Sequence, residues 1–306
     1  MSSQRVRYAG GRPEGGIVIR DDSNMITNVA KDIMKNLGKN LVQGKFTNML
    51  KVRTPAYVHS DKTYLDCIKY EFCLLEKMLF HCQEQGCLES PFERLKYITA
   101  AQIGAIHLGV ENVGLRSPLN PILGETMVIK TEMGSTLYME QTSHHPPISN
   151  FHMLGPESLP FEVSGYVEFK VETKGVMSSV LFKAPGIVRI KLPDQTLLEM
   201  STKTIEVTGL LSTEKIFNVV ESITIHDVTN GVNAEVIFDC CAEKRASYMG
   251  SFFKSAPKNE FGDHENRTDL VEIKLTDDAD FEIGKGSGSY LERITFDGRE
   301  FWSVND

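Results

Sequence analysis

Apolar residues recur at three- and four-residue steps through the first third of the chain, and from about residue 120 the period drops to two. In "NMITNVAKDIMKNLGKN" Ile26, Val29, Ile33 and Leu37 fall on one stripe. Ser23 or Asn24 can cap its start and Gly38 can end it, so a helix is expected over residues 24–38. "KTYLDCIKYEFCLLEKMLFHCQEQG" repeats the period with Leu65, Ile68, Phe72, Leu75, Met78 and Leu79 and ends at Gly86. "SPFERLKYITAAQIGAIHLG" opens with Ser90 as cap and Pro91 as first helical residue. These last two read as core-facing helices within a helical part spanning residues 60–115. The first is flanked by Lys31, Lys35 and Lys39, which suits a mobile lid against an anionic surface.

Beyond residue 120 the text alternates. "TMVIKTEMGSTLYMEQ" reads as a hairpin turning near Met133-Gly134-Ser135, and "FEVSGYVEFKVETKGVMSSVLF", "GIVRIKLPDQTLLEM", "KTIEVTGLL", "VVESITIHDVTNGVNAEVIFDCC" and "LVEIKL" continue the pattern. Turn signals at Lys174-Gly175, Pro193-Asp194 and Thr229-Asn230-Gly231 space short antiparallel strands as in a barrel or sandwich. No repeat of fixed length suggests a propeller. From residue 251 the pattern decays into polar and glycine-rich text ("KNEFGDHENRTD", "GKGSGS"), read as an irregular C-terminal part. The expectation is a single mainly β (α+β) domain over 1–306. Residues 120–250 would form one large meander that curls into an incomplete barrel around an apolar lumen.

Composition narrows the function. The chain has 306 residues, 41% hydrophobic and 24% charged, as a soluble globular protein does. A net charge of −8 argues against nucleic acid as a partner. No run approaches ~18 apolar residues, and the N-terminus has neither a signal core nor a myristoylation glycine, so a cytoplasmic protein is expected. Cys67, Cys73, Cys82, Cys87, Cys240 and Cys241 lack zinc-site spacing and read as buried thiols. No metal and no cofactor are expected.

The densest chemistry is "MEQTSHHPPISNFHM", residues 139–153. Pro146 holds His145 in extended geometry, and Pro147 has no N–H for a ladder, so strand pairing is expected to stop there. On the residues alone two readings stay open: an accidental His-His beside a stiff turn, or two imidazoles brought to a rim as donors for a phosphate.

"EQTSHHPP" (Glu140 to Pro147) closely resembles the E-Q-x-S-H-H-P-P fingerprint of the oxysterol-binding protein-related family, and "PLNPILGET" (Pro118 to Thr126) resembles its second strong block at the expected distance. The resemblance is strong over residues 109–182, fair over 24–108 and weak after 250. It implies an incomplete barrel around a hydrophobic tunnel, closed by an N-terminal helical lid. It implies a peripheral lipid-transfer domain carrying a sterol or phosphatidylserine in one direction and phosphatidylinositol 4-phosphate in the other, with transient contact to membrane surfaces. His144, His145 and Asn120 match family positions that contact the phosphorylated headgroup. Ile26, Val29, Ile33 and Leu37 would form the lid over the tunnel.

Two departures stand out. The family's lysine before P-x-N-P is Ser117 here, preceded by Arg116, which either swings in to meet the phosphate or remains a solvated surface residue. The family's Lys, Glu and Arg, four apart on a late helix, correspond to Lys285, Ser289 and Arg293, with the acid missing and "GKGSGSY" a poor helix. A lipid hydrolase lacks support, since neither G-x-S-x-G nor H-E-x-x-H occurs. A phosphoinositide sensor without transfer is the alternative that Ser117 keeps open.

Overall fold

A computed structural model describes residues 10–19, 27–28, 31, 59–113, 117–174, 179–210, 214–240 and 267–305, and of residues 111–113 and 117 the backbone alone. The lid residues Ile26, Val29, Ile33 and Leu37, and Arg116, lie outside these. Two long helices follow the sequence pattern. Helix α1 (Tyr64–Glu84) buries Leu65, Ile68, Phe72, Leu75, Met78 and Leu79, the whole stripe read from the period. Its start is held by the Asp66 carboxylate, which accepts the Thr63 N–H at 3.1 Å. Helix α2 (Pro91–Val113) begins at its proline, and the Ser90 hydroxyl accepts the Glu93 N–H at 3.4 Å. A β-carbon at Gly104 would stand 2.6 Å from the Trp302 ring and 2.8 Å from Leu74, so only glycine lets α2 pass between them.

The strands are β1 (Ile17–Ile19), β2 (His59–Thr63), β3 (Ser117–Leu119), β4 (Thr126–Lys130), β5 (Thr136–His144), β6 (Pro147–Leu154), β7 (Glu162–Glu168), β8 (Lys170–Lys174), β9 (Ser179–Lys183) and β10 (Gly186–Lys191). They continue as β11 (Leu197–Met200), β12 (Thr204–Thr208), β13 (Lys215–Val220), β14 (Ser222–Asp227), β15 (Val232–Phe238), β16 (Leu270–Asp277), β17 (Glu282–Ser289), β18 (Arg293–Phe296) and β19 (Arg299–Ser303). Among the described residues the large sheet runs β4-β5-β6-β7-β10-β11-β14-β15-β16-β17-β18-β19, antiparallel throughout, and its ends do not meet. This is an incomplete barrel wall. Inward side chains such as Leu137, Met139, Phe151, Ile190, Ile225 and Val236 join the two helices in one core, with the Phe72 and Phe151 rings 4.8 Å apart.

The single meander expected over 120–250 is corrected. Strands β8, β9, β12 and β13 leave the large sheet and form a second one, β8-β9-β12-β13-β1. The sequence carries no mark of the first crossing, because apolar residues keep the same alternating phase through it, with Val163, Val167 and Val171 buried on either side. At the crossing, between β7 and β8, the Phe169 ring meets Tyr64 at 4.7 Å and Phe182 at 6.2 Å.

The irregular C-terminal part expected over 251–306 is corrected as well, since residues 270–303 form four strands. The "GKGSGS" text misled because two of its glycines lie under aromatic rings and the third, Gly288, lies against the β18 backbone. A β-carbon at Gly284 would be 2.7 Å from Phe92, and one at Gly286 would be 2.6 Å from Phe296. Two buried polar networks then tie elements together. Arg94 of α2 donates to Asp194 (2.8 Å), Thr196 (2.7 Å) and Asp227 (3.0 Å), joining the helix to the β10–β11 and β14–β15 turns. Arg267 reaches Asp269, Ser289 and Glu292 beside β16 and β17.

Candidate functional site

The two fingerprint blocks meet at one end of β5. The hairpin between β5 and β6 turns on His145-Pro146 alone, with a cis bond between them and His144 paired to Pro147. Pairing was expected to stop at Pro147, and here the structure differs. Strand β6 begins at that residue because its carbonyl accepts the Phe169 N–H at 2.9 Å and its missing N–H falls at the strand start. The tight turn brings both imidazoles to the same rim, with ring centroids 4.6 Å apart, His144 half-buried and His145 exposed.

The "PLNPILGET" block supplies the opposite side. Gly124 donates its N–H to the Gln141 carbonyl at 2.8 Å, and Gln141 donates in return to the Glu125 carbonyl at 2.9 Å, so the 121–125 loop lies along β5. The loop is stiff: the Glu125 N–H donates to the Ile122 carbonyl at 3.0 Å, and the Glu125 carboxylate accepts the Ile122 N–H at 3.1 Å. The Pro121 carbonyl then stands 3.0 Å from His144 Nδ1, with Asn120 Nδ2 3.4 Å from the same nitrogen. Behind them Gln141, 1% exposed, donates from Nε2 to Asn120 Oδ1 (3.3 Å) and to the Ser143 carbonyl (2.8 Å), while its oxygen accepts the Ser149 hydroxyl at 2.5 Å. The resemblance had singled out the histidines and Asn120. Gln141, invisible as chemistry in the sequence beyond its place in the fingerprint, is what connects them.

Beneath this rim lies a cleft lined by Tyr64, Leu119, Asn120, Gln141, Ser149 and Phe169 among others, with a cavity of only ≈10 Å³. A small-molecule pocket takes ~300–1,000 Å³, so this cleft is a foot for the site and no container for a lipid. Burial, with Glu71 and Cys67 adding to it, raises the Tyr64 phenol far above its ordinary range and keeps it protonated. Burial likewise pushes the Cys67 thiol up to about 12, with Asp66 and Glu71 assisting, and the Cys82 thiol up to about 12, so neither is a nucleophile.

Other candidate residues sit elsewhere. Ser117 pairs with His59 in a short parallel ladder between β2 and β3, next to the block that holds Asn120. Lys285 and Arg293 lie on β17 and β18, toward the far end of the strand order from β5, and Arg293 is paired with Glu300 at 3.5 Å. The spacing expected of a helix face therefore falls on two antiparallel strands. Among the described residues no group of three or more His, Cys, Asp or Glu is placed to hold a metal ion. No described helix is long and apolar enough to cross a membrane.

Comparison with known proteins agrees with this layout. The family model described as "Oxysterol-binding protein" matches residues 35–262. Oxysterol-binding protein 9 of Dictyostelium discoideum is 22% identical over 90% of the chain and 63% of its own length. The oxysterol-binding protein-like protein OBPalpha of Candida albicans is 23% identical over 71% of the chain and 50% of its own length. The chain thus spans about half to two thirds of these curated relatives. Among solved structures, the Osh3 ORD from Saccharomyces cerevisiae in complex with PI(4)P superposes with a TM-score of 0.66 at 19% identity, over 99% of this chain and 70% of that one. The Osh1 ORD in complex with cholesterol gives 0.66 at 16%, over 100% and 68%.

Proposed function

Because the chain belongs to the oxysterol-binding protein family, we propose that it binds lipids and transfers them, exchanging a sterol or a phospholipid for phosphatidylinositol 4-phosphate between membranes. The observation that carries this reading is the pair of imidazoles 4.6 Å apart on a two-residue turn, with Asn120 beside them. Such a cluster of N–H donors at a rim suits a phosphate ester, and nothing in it assembles a nucleophile with its base. Relatives of the same fold have been solved with PI(4)P and with cholesterol. In this reading the sterol or acyl chains enter the barrel. Burying ~400 Å² of apolar surface at ~25 cal/mol/Å² stabilises the complex by roughly 10 kcal/mol.

The mouth also suits a passing contact with a bilayer from the cytoplasmic side. Ile122 and Leu123, 69% and 66% exposed, cap the stiff loop whose Pro121 carbonyl meets His144. A lipid whose headgroup reaches His144 leaves its membrane past this apolar tip.

The test is extraction from vesicles. Purified protein should remove phosphatidylinositol 4-phosphate from vesicles, and changing both His144 and His145 to Ala should abolish that while sterol uptake largely survives. Undiminished extraction by the double variant would sink the proposal. Tight binding without movement of lipid from donor to acceptor vesicles would make the protein a phosphoinositide sensor instead.

A further inference from the structure

His144 Nδ1 faces two groups with opposite demands. It lies 3.0 Å from the Pro121 carbonyl oxygen, which can only accept, and 3.4 Å from Asn120 Nδ2, which can only donate. The orientation of that amide is fixed from behind. The Ser143 carbonyl, 2.8 Å from Gln141, makes the near atom of the Gln141 amide its nitrogen. That nitrogen meets Asn120 Oδ1 at 3.3 Å, which leaves the Asn120 nitrogen toward His144. Of the two claims on Nδ1 the shorter decides, since a bare lone pair 3.0 Å from a carbonyl oxygen is repulsive. Nδ1 therefore carries hydrogen and donates to Pro121. In a neutral ring Nε2 is then an acceptor, the wrong polarity for an anion.

We propose that His144 takes its anionic ligand only as an imidazolium, so that binding a phosphate dianion draws one proton from solvent onto Nε2. This rests on the phosphate-binding reading above and adds to it a source of positive charge where the chain has Ser117. The balance is simple: one N–H bond forms at Nε2, the proton comes from buffer, and the phosphate stays a dianion. Asn120 Nδ2, facing another donor, keeps its hydrogens for the ligand, and Gln141 is the positioning residue that aims it.

The titratable and charged groups on the elements packed around His144 allow this. His145 stands 4.6 Å away, ring beside ring. The Glu125 carboxylate is engaged by the Ile122 N–H. Glu168 and Lys170 pair with each other at 3.2 Å beside Phe169, Tyr64 lines the cleft as a neutral phenol, and His59, Asp61 and Lys62 lie on β2 beyond β3.

Nitrogen-15 NMR of the imidazoles at pH 8 should show His144 protonated at Nδ1 and bare at Nε2 in the free protein, and at both nitrogens once ligand is bound. Calorimetry in buffers of different ionisation enthalpy should count about one proton taken up per phosphate. Between pH 7.5 and 8.5 the ester's own second ionisation, near pH 6, is complete. Over that range the dissociation constant should rise about tenfold per pH unit. The probes are inorganic phosphate and vesicles containing phosphatidylinositol 4-phosphate, which separate a free anion from a lipid headgroup. His145→Gln should weaken binding but keep the slope, and His144→Gln should weaken it and flatten the slope. A free-protein ring protonated at Nε2, or an affinity indifferent to pH, overturns the proposal while leaving the phosphate site intact. No binding of either probe at any pH removes both.

Discussion

Among single residues, Gln141 makes the clearest commitment. Its buried amide serves Asn120, the Ser143 carbonyl and the Ser149 hydroxyl at once, so Gln141→Leu leaves three polar groups without that partner. The expected cost is about 1–3 kcal/mol in a urea melt, together with weaker phosphate binding as Asn120 loses its aim. The thiols make a second commitment. With burial holding Cys67 and Cys82 near 12, both remain protonated at pH 8, and their reaction with a thiol reagent should be about a thousandfold slower than that of an ordinary cysteine until the chain unfolds. Mass-spectrometric mapping of labelled sites checks this, and prompt labelling of either residue in native protein contradicts the burial.

Individual elements differ in how plainly the sequence announces them. Helix α1 was legible from its apolar stripe of six positions and α2 to its first residue, because such a stripe and a Ser-Pro start have few other uses. The His145-Pro146 turn was legible as a turn, though not as a hairpin, because a missing N–H looks like an end of pairing until its place at a strand start is known. The histidines and Asn120 were legible only through the fingerprint. Strand β17 was hidden, since the reason for Gly284 and Gly286 is a pair of rings supplied by Phe92 and by Phe296. Gly286→Ala would push a methyl to 2.6 Å from the Phe296 ring and 2.8 Å from the Thr295 carbonyl, for a loss of about 1–3 kcal/mol. The 121–125 loop carries its own expectation. Changing Ile122 and Leu123 to Asp should lower affinity for vesicles at least about tenfold, given ~1.5–3 kcal/mol for each apolar side chain fully buried, while inorganic phosphate binds as before. Equal vesicle affinity would take the loop away from the membrane.

The molecule as a whole is held by groups that no local pattern reveals. Arg94, 1% exposed, meets Asp227, whose side chain is fully buried, and Asp194, and so joins α2 to two distant turns. Arg94→Ala should cost about 3–5 kcal/mol, because it strands the Asp227 carboxylate without its cation. The pair with Asp194 gives the effect a pH signature. Burial of Asp194 works the other way, but hydrogen bonds from Thr196 and from Arg94 outweigh it and lower the carboxyl below its ordinary value. Its contribution to stability is thus complete at neutral pH and is lost as pH falls below ~4 through that lowered value, and the Arg94→Ala protein should lose less over the same interval. Pairing at the β1 edge of the second sheet has a consequence in time. Strand β1 finds its partner at Ile17↔Phe217, 217 − 17 = 200 residues further along. At ~5–20 residues per second of synthesis, β1 leaves the ribosome roughly 10–40 s before the strand it pairs with exists. Closing so long a loop is also slow. Until it closes, β13 presents an open edge to other nascent chains, and the interval in which this protein is most exposed to misassembly is set by the wait of its first strand.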